Sequence, residues 1–208
     1  MAKFNSEFGE QLPELDLGGG YGIAYLDNES EIQASDVLGT LAKIVKESCA
    51  KHSLSVPKIS IEPGRAIVGP SMFTLYSVGT TKVVTLENGA SRNYVSVDGG
   101  MSDNLRTALY GAEYTAIIAN RESTAKKIAT RIVGKHCETG DIIIKDIDFP
   151  SDVTPGDLLA TPATGAYGRS MATNYNHISR PPVVAIKDGK ARVILRRESI
   201  EDLLRLDI

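Results

Sequence analysis

Hydrophobic and polar positions alternate with two different periods along the chain, and the change comes near residue 65. In the first part, the short run Leu15-Asp16-Leu17 reads as a strand that enters a glycine turn, Gly18-Gly19-Gly20. Residues 35–52 carry Leu38, Leu41, Val45 and Cys49 at helical spacing, which predicts a helix with one apolar stripe and Ser35 as its N-cap. Ile59-Ser60-Ile61 reads as a second strand, running into Glu62-Pro63-Gly64-Arg65. Strand, helix and strand in that order predict one unit of a parallel α/β fold. A single such unit cannot close a sheet.

From Met72 the period becomes two, in short runs rich in Thr, Val, Tyr and Ile that are separated by turns. The runs are 73–84, 94–97, 114–118, 129–133, 141–144, 157–159, 182–187 and 191–196. This pattern predicts an antiparallel β domain. Asp188-Gly189 between the last two runs predicts a hairpin turn, and Glu198 to Leu206 predicts a short amphipathic C-terminal helix.

Composition narrows the function classes. The 208 residues are 42% hydrophobic and 24% charged, which is ordinary for a globular chain with a sizeable core. With 23 basic and 26 acidic residues, the net charge of −3 gives no electrostatic case for nucleic acid or an anionic membrane as partner. The two cysteines, Cys49 and Cys137, have neither the pairing of a disulfide scaffold nor the spacing of a zinc site, so no metal is expected. No apolar run approaches the roughly 18 residues of a membrane span, and the N-terminus has no signal-peptide core. A reducing, cytoplasmic location is therefore expected.

Five segments could carry chemistry, and each also has a purely structural reading. Gly18 to Gly22 follows a strand, where unhindered backbone N–H groups could cradle a phosphate, or it is a plain strand-ending turn. Arg65, at the end of the second strand, could fork onto a carboxylate or phosphate, or pair with Glu62. His136-Cys137-Glu138 sets a thiol among titratable neighbours, which suits a proton donor or nucleophile; a free cysteine can equally be buried and inert. Thr164 to Gly168 and Asn174-Tyr175-Asn176 offer tyrosine hydroxyls to a ligand, or buried tyrosines to the core. The acidic turn Asp98 to Asn104 precedes Arg106 and Tyr110, whose spacing places them on one helical face.

Taken in order, these motifs resemble the C-terminal half of the diaminopimelate decarboxylases, enzymes of the fold-type III pyridoxal 5'-phosphate family that convert meso-diaminopimelate to L-lysine and CO₂. The resemblance rests on Leu15 to Gly20, Glu62 to Arg65, Asp98 to Asn104 with Ala108 to Gly111, His136 to Glu138, and Ala163 to Tyr167. It implies that residues 1–68 close an alanine-racemase-like (β/α)8 barrel and that residues 69–208 form a C-terminal antiparallel β-sandwich or barrel domain. Gly20, Glu62, Pro63, Gly64 and Arg65 would hold the cofactor phosphate, and Tyr167 would contact cofactor and substrate. Arg65, Arg106 and Tyr110 would bind a substrate carboxylate, Glu138 the distal amino group, and Cys137 would return a proton after CO₂ leaves. Cys137 and Glu138 would reach into the site of a partner subunit, so a homodimer is implied.

The resemblance also implies differences. The family's Schiff-base lysine and ring-stacking histidine precede the region matched by residue 1, so the chain is expected to be a fragment, inactive alone, with strand edges open to pairing. Thr139 stands where the family has serine, and Gly168-Arg169 where an aromatic is common. The competing readings are an ornithine or arginine decarboxylase, an amino-acid racemase of the same fold, and a non-catalytic dimerisation or regulatory module.

Overall fold

The computed structural model describes residues 1–208, and these divide into two compact units, Met1–Ser71 and Met72–Ile208. In the first, a short helix α1 (Ala2–Phe8) precedes strand β1 (Glu14–Asp16), helix α2 (Ala34–Lys51), strand β2 (Lys58–Ser60) and helix α3 (Gly64–Val68). Strands β1 and β2 pair in parallel, Leu15 opposite Ile59, so the expected strand–helix–strand unit is present. α2 begins one residue before the expected cap. Gln33 occupies the N-cap without a side-chain bond, and Ser35 lies within the first turn, its hydroxyl turned to Asp36. The expected apolar stripe is only partly covered: Val45 and Cys49 are buried, while Leu38 is 45% exposed. Ile44, Val56, Ile67 and Val68 are exposed as well.

The second unit is built on a six-stranded sheet. Its strands are β3 (Thr74–Thr85), β4 (Ser91–Val97), β5 (Ile117–Ile118), β6 (Lys127–Val133), β7 (Ile142–Pro150) and β8 (Leu158–Thr161), in the spatial order β5-β8-β3-β4-β6-β7. Helix α4 (Arg106–Tyr110) lies between β4 and β5, and helix α5 (Gly168–Met171) follows β8. A hairpin of β9 (Val183–Lys187) and β10 (Lys190–Leu195) forms a separate sheet, and helix α6 (Ile200–Leu204) follows it. Val95, Val97, Ile132, Ile143, Ile144, Phe149 and Leu159 are buried and form the core. Each such side chain taken from water contributes about 1.5–3 kcal/mol.

Four of the five strand pairs in this sheet are antiparallel, as the period-two pattern suggests, and one is not: β4 and β6 run parallel, with Val95 opposite Ile132. That pair decides where the loops go. β8 and β4 are each antiparallel to β3, so β4, β6 and β8 all point the same way. The segments that leave their carboxyl ends are 98–105, 134–141 and 162–167, and they emerge at one edge of the sheet.

Candidate functional site

In the first unit, the two turns at the ends of β1 and β2 are brought together. The Glu62 N–H donates to the Gly18 carbonyl at 2.9 Å, and a Cβ at Gly19 would stand 2.5 Å from the Glu62 carbonyl oxygen. The loop therefore needs glycine at 19 for space and at 20 for conformation, since Gly20 has φ +88°. Arg65 does not pair with Glu62. Its Nε donates to the Tyr21 carbonyl at 3.0 Å and one terminal nitrogen to the Gly20 carbonyl at 3.1 Å. The guanidinium thus fixes the glycine loop from the side and sets a permanent positive charge beside it. A small anionic group suits that combination of bare backbone and guanidinium.

In the second unit, one buried carboxylate organises the edge of the sheet. Asp141 is 3% exposed and accepts from the Met101 N–H at 2.6 Å and the His136 N–H at 2.7 Å. It ties the loop after β4 to the loop after β6. Both loops make room for it, because a Cβ at Gly100 would stand 2.6 Å from its Oδ1 and a Cβ at Gly134 would overlap the carboxylate. A further bond runs from the Lys135 N–H to the Gly99 carbonyl at 3.0 Å. Asp103 braces the same turn, accepting from the Gly100 N–H and from the Tyr76 hydroxyl, both at 2.7 Å. Burial raises the Asp103 carboxyl above its ordinary pKa and pushes the Tyr76 phenol well above its own.

On this frame the His136-Cys137-Glu138 tip is held at both sides. The His136 ring is buried, its Nε2 lies 2.9 Å from the Ser102 hydroxyl, and it stacks on Tyr175 with centroids 5.6 Å apart. Glu138 accepts from the Tyr175 hydroxyl at 2.6 Å. Cys137, between them, is exposed, whereas Cys49 is the buried cysteine. An exposed thiol is open to reaction, so the inert, buried alternative does not describe Cys137.

The other expected residues gather around Arg106. Its guanidinium lies 5.6 Å from the Tyr167 ring centre and 5.8 Å from that of Tyr114, and Nη1 donates to the Tyr114 hydroxyl at 2.8 Å. Tyr114 is buried, whereas Tyr167 is half-exposed and held at φ +65°, a backbone state rare for tyrosine. The Thr164 hydroxyl accepts from Thr74, and the Thr173 N–H donates to the Ser102 carbonyl, so the loop after β8 is pinned to the same edge. Tyr110 shares α4 with Arg106 and is 65% exposed. Within this unit, then, Arg106 and Tyr167 touch, as do Glu138 and Tyr175. The sequence pattern did not reveal the roles of Asp141 or Tyr114, and it marked Asp103 only as part of the acidic turn Asp98 to Asn104. Gly100 and Gly134 were the one available sign, as two glycines emptied to receive a carboxylate.

Comparison with known proteins agrees over the whole chain. Residues 1–69 match the pyridoxal-binding domain of the pyridoxal-dependent decarboxylases, and residues 71–165 match the C-terminal sheet domain of the same enzymes. The diaminopimelate decarboxylase of Mycobacterium tuberculosis is 49% identical over 208 residues, which is all of this chain and 46% of the relative. The crystal structure of the Helicobacter pylori enzyme complexed with L-lysine superposes with a TM-score of 0.82 at 34% identity, over 99% of this chain and 47% of that one. The M. jannaschii enzyme gives 0.84 at 30% identity, over 100% and 45%. The chain thus spans about half the length of the relatives it matches. Its two matched regions follow each other along the chain, a pyridoxal-binding region and then the sheet domain, and on them the chain belongs to the pyridoxal-dependent decarboxylase family.

Proposed function

We propose that this chain is the C-terminal half of a diaminopimelate decarboxylase, acting on meso-diaminopimelate with pyridoxal 5'-phosphate to give L-lysine and CO₂. On this reading residues 1–68 close a (β/α)8 barrel and residues 69–208 form the β domain. The observation that carries it is the tip after β6, where an exposed thiol stands next to a carboxylate held in place by Tyr175. Whole-chain identity near half to enzymes named diaminopimelate decarboxylase supports the substrate.

The residues present fit a phosphate-bearing cofactor. Gly19 is pressed against Glu62 so that no side chain screens the loop, and the Arg65 guanidinium lies beside Gly20. Gly20 and the Glu62-Pro63-Gly64-Arg65 turn would hold the phosphate. When bound, pyridoxal phosphate supplies the electron sink that makes loss of CO₂ feasible.

The remaining roles belong to side chains. Arg106 binds a substrate carboxylate, its planar fork held by the Tyr114 hydroxyl and lying near the Tyr114 and Tyr167 rings. Tyr110 and Arg65 assist at carboxylates, and Tyr167 orients substrate against cofactor. Glu138 receives the distal ammonium, so that the second amino-acid end of the substrate meets both a cation and an anion. The Cys137 Sγ gives a proton to the carbon that has lost CO₂. Cys137 and Glu138 act in the site of a partner subunit, which makes the working enzyme a homodimer in the cytoplasm. No helix is long and apolar enough to cross a membrane.

Incubating the full gene product with pyridoxal phosphate and meso-diaminopimelate tests the proposal. L-lysine and CO₂ in equal amounts are expected. Preferred turnover of ornithine or arginine, or none of meso-diaminopimelate, would overturn it.

A further inference from the structure

Tyr175 sits where three observations meet. Its ring stacks on His136 and its hydroxyl donates to Glu138, so one side chain grips both neighbours of Cys137. The backbone that presents it is unusual, because the next two residues, Asn176 and His177, both have φ +54°. Non-glycine residues in this state cost on the order of 1–3 kcal/mol each and persist where surrounding structure enforces them. Here the enforcement is visible. Asn174 Nδ2 donates to the Glu198 carboxylate at 2.6 Å and to the Ile178 carbonyl at 3.1 Å, closing the turn around Tyr175. Glu198 in turn accepts from the Arg180 N–H at 2.8 Å.

Tyr175 is only half-buried in this arrangement, at 44% exposed, so it is not a core side chain. A tyrosine held at the cost of strain, half in solvent and bonded to a carboxylate, acts on what it touches. Glu138 is exposed, and a carboxylate that must meet a small cation is most effective when its rotamer is already chosen.

We infer that Tyr175 is a positioning residue for the Cys137–Glu138 tip: its hydroxyl fixes the Glu138 carboxylate for the distal ammonium of the substrate, and its ring anchors His136 and thereby the backbone that carries Cys137. The inference rests on the diaminopimelate reading for the substrate, and on geometry alone for the anchoring. Hydrogen bonding to Glu138 raises the Tyr175 phenol above its ordinary pKa, so the hydroxyl stays a donor through the neutral range.

Two variants separate the two contacts. Tyr175→Phe keeps the ring and loses the hydroxyl, whereas Tyr175→Leu loses both. In the full gene product with pyridoxal phosphate, Tyr175→Phe should raise KM for meso-diaminopimelate about tenfold with kcat within about twofold, the loss of one hydrogen bond to a charged group. In a Glu138→Ala background the same change should have no further effect, because the hydroxyl acts only through Glu138. Hydrogen exchange of the 136–138 amides, read without cofactor, should be unchanged in Tyr175→Phe and faster in Tyr175→Leu. Independent, multiplying effects of Tyr175→Phe and Glu138→Ala would overturn the positioning of Glu138, and unchanged exchange in Tyr175→Leu would overturn the anchoring. Wild-type enzyme without turnover of meso-diaminopimelate would instead overturn the functional reading, and the exchange measurement would still decide on the anchor.

Discussion

Replacing Asp141 with asparagine asks whether one buried carboxylate really joins two loops. The change is nearly isosteric, so packing is kept and only charge and one acceptor are lost. Asp141 accepts two main-chain N–H bonds, from Met101 at 2.6 Å and His136 at 2.7 Å, with one oxygen for each. Charge-assisted bonds of this kind contribute about 1.5–3 kcal/mol each. An asparagine side chain has one carbonyl oxygen and one NH₂ group, so one of the two N–H donors would face another donor inside the fold. Weakening one bond and orphaning the other donor should cost about 2–4 kcal/mol in all. With a urea dependence of about 1–3 kcal/mol per molar, the unfolding midpoint of the second unit should fall by about 1–2 M. Far-ultraviolet circular dichroism, dominated there by the strands, reads the transition. A midpoint within about 0.3 M of wild type would show that Asp141 does not hold the edge, and the argument from Gly100 and Gly134 would fail with it.

Arg65→Lys keeps the charge but not the fork that reaches the Gly20 and Tyr21 carbonyls, so pyridoxal phosphate affinity, followed by absorbance titration, should fall about tenfold; unchanged affinity would refute the stitching role. Tyr114→Phe removes the acceptor of Arg106 and should raise KM for meso-diaminopimelate about fivefold at nearly constant kcat. A fall in kcat with KM unchanged would contradict it. The Arg121 guanidinium donates to both oxygens of Asp157, at 2.8 and 2.7 Å, and holds its carboxyl below the ordinary range. Because the folded value is depressed, this stabilisation is present above the ordinary carboxylate pKa of about 4 and is lost as pH falls through that range toward the depressed value. Melting temperatures from pH 7 down to pH 3 should therefore drop more steeply for wild type than for Arg121→Gln, and parallel curves would refute the pairing.

What could be read in the sequence was set by local chemistry. Asp188-Gly189 announces its hairpin because the turn needs two residues with positive φ, and both have it, at +51° and +70°. The strand–helix–strand order of the first unit follows from spacing alone. The parallel partnership of β4 and β6 was not legible, because an alternating strand carries its faces but not its neighbour. That one pairing places the 98–105 loop beside the 134–141 loop, so the contacts of Asp141 and His136 were hidden with it. Of the two readings of Arg65, the pairing with Glu62 rested on nearness in sequence alone, and the guanidinium donates instead to the Gly20 and Tyr21 carbonyls, which only the fold brings to it. The run 114–118 forms a strand only at Ile117–Ile118, and the Tyr114 hydroxyl ahead of it accepts from Arg106. Ser35 lost the cap because the helix starts at Ala34.

The most direct test of the site is alkylation of the exposed thiol. Cys137 is accessible and Cys49 is buried, so iodoacetamide should label Cys137 first, with the position confirmed by peptide mass. In the full gene product with pyridoxal phosphate, decarboxylation should be lost in step with labelling, and meso-diaminopimelate should slow both. Complete labelling of Cys137 with activity retained would contradict the account.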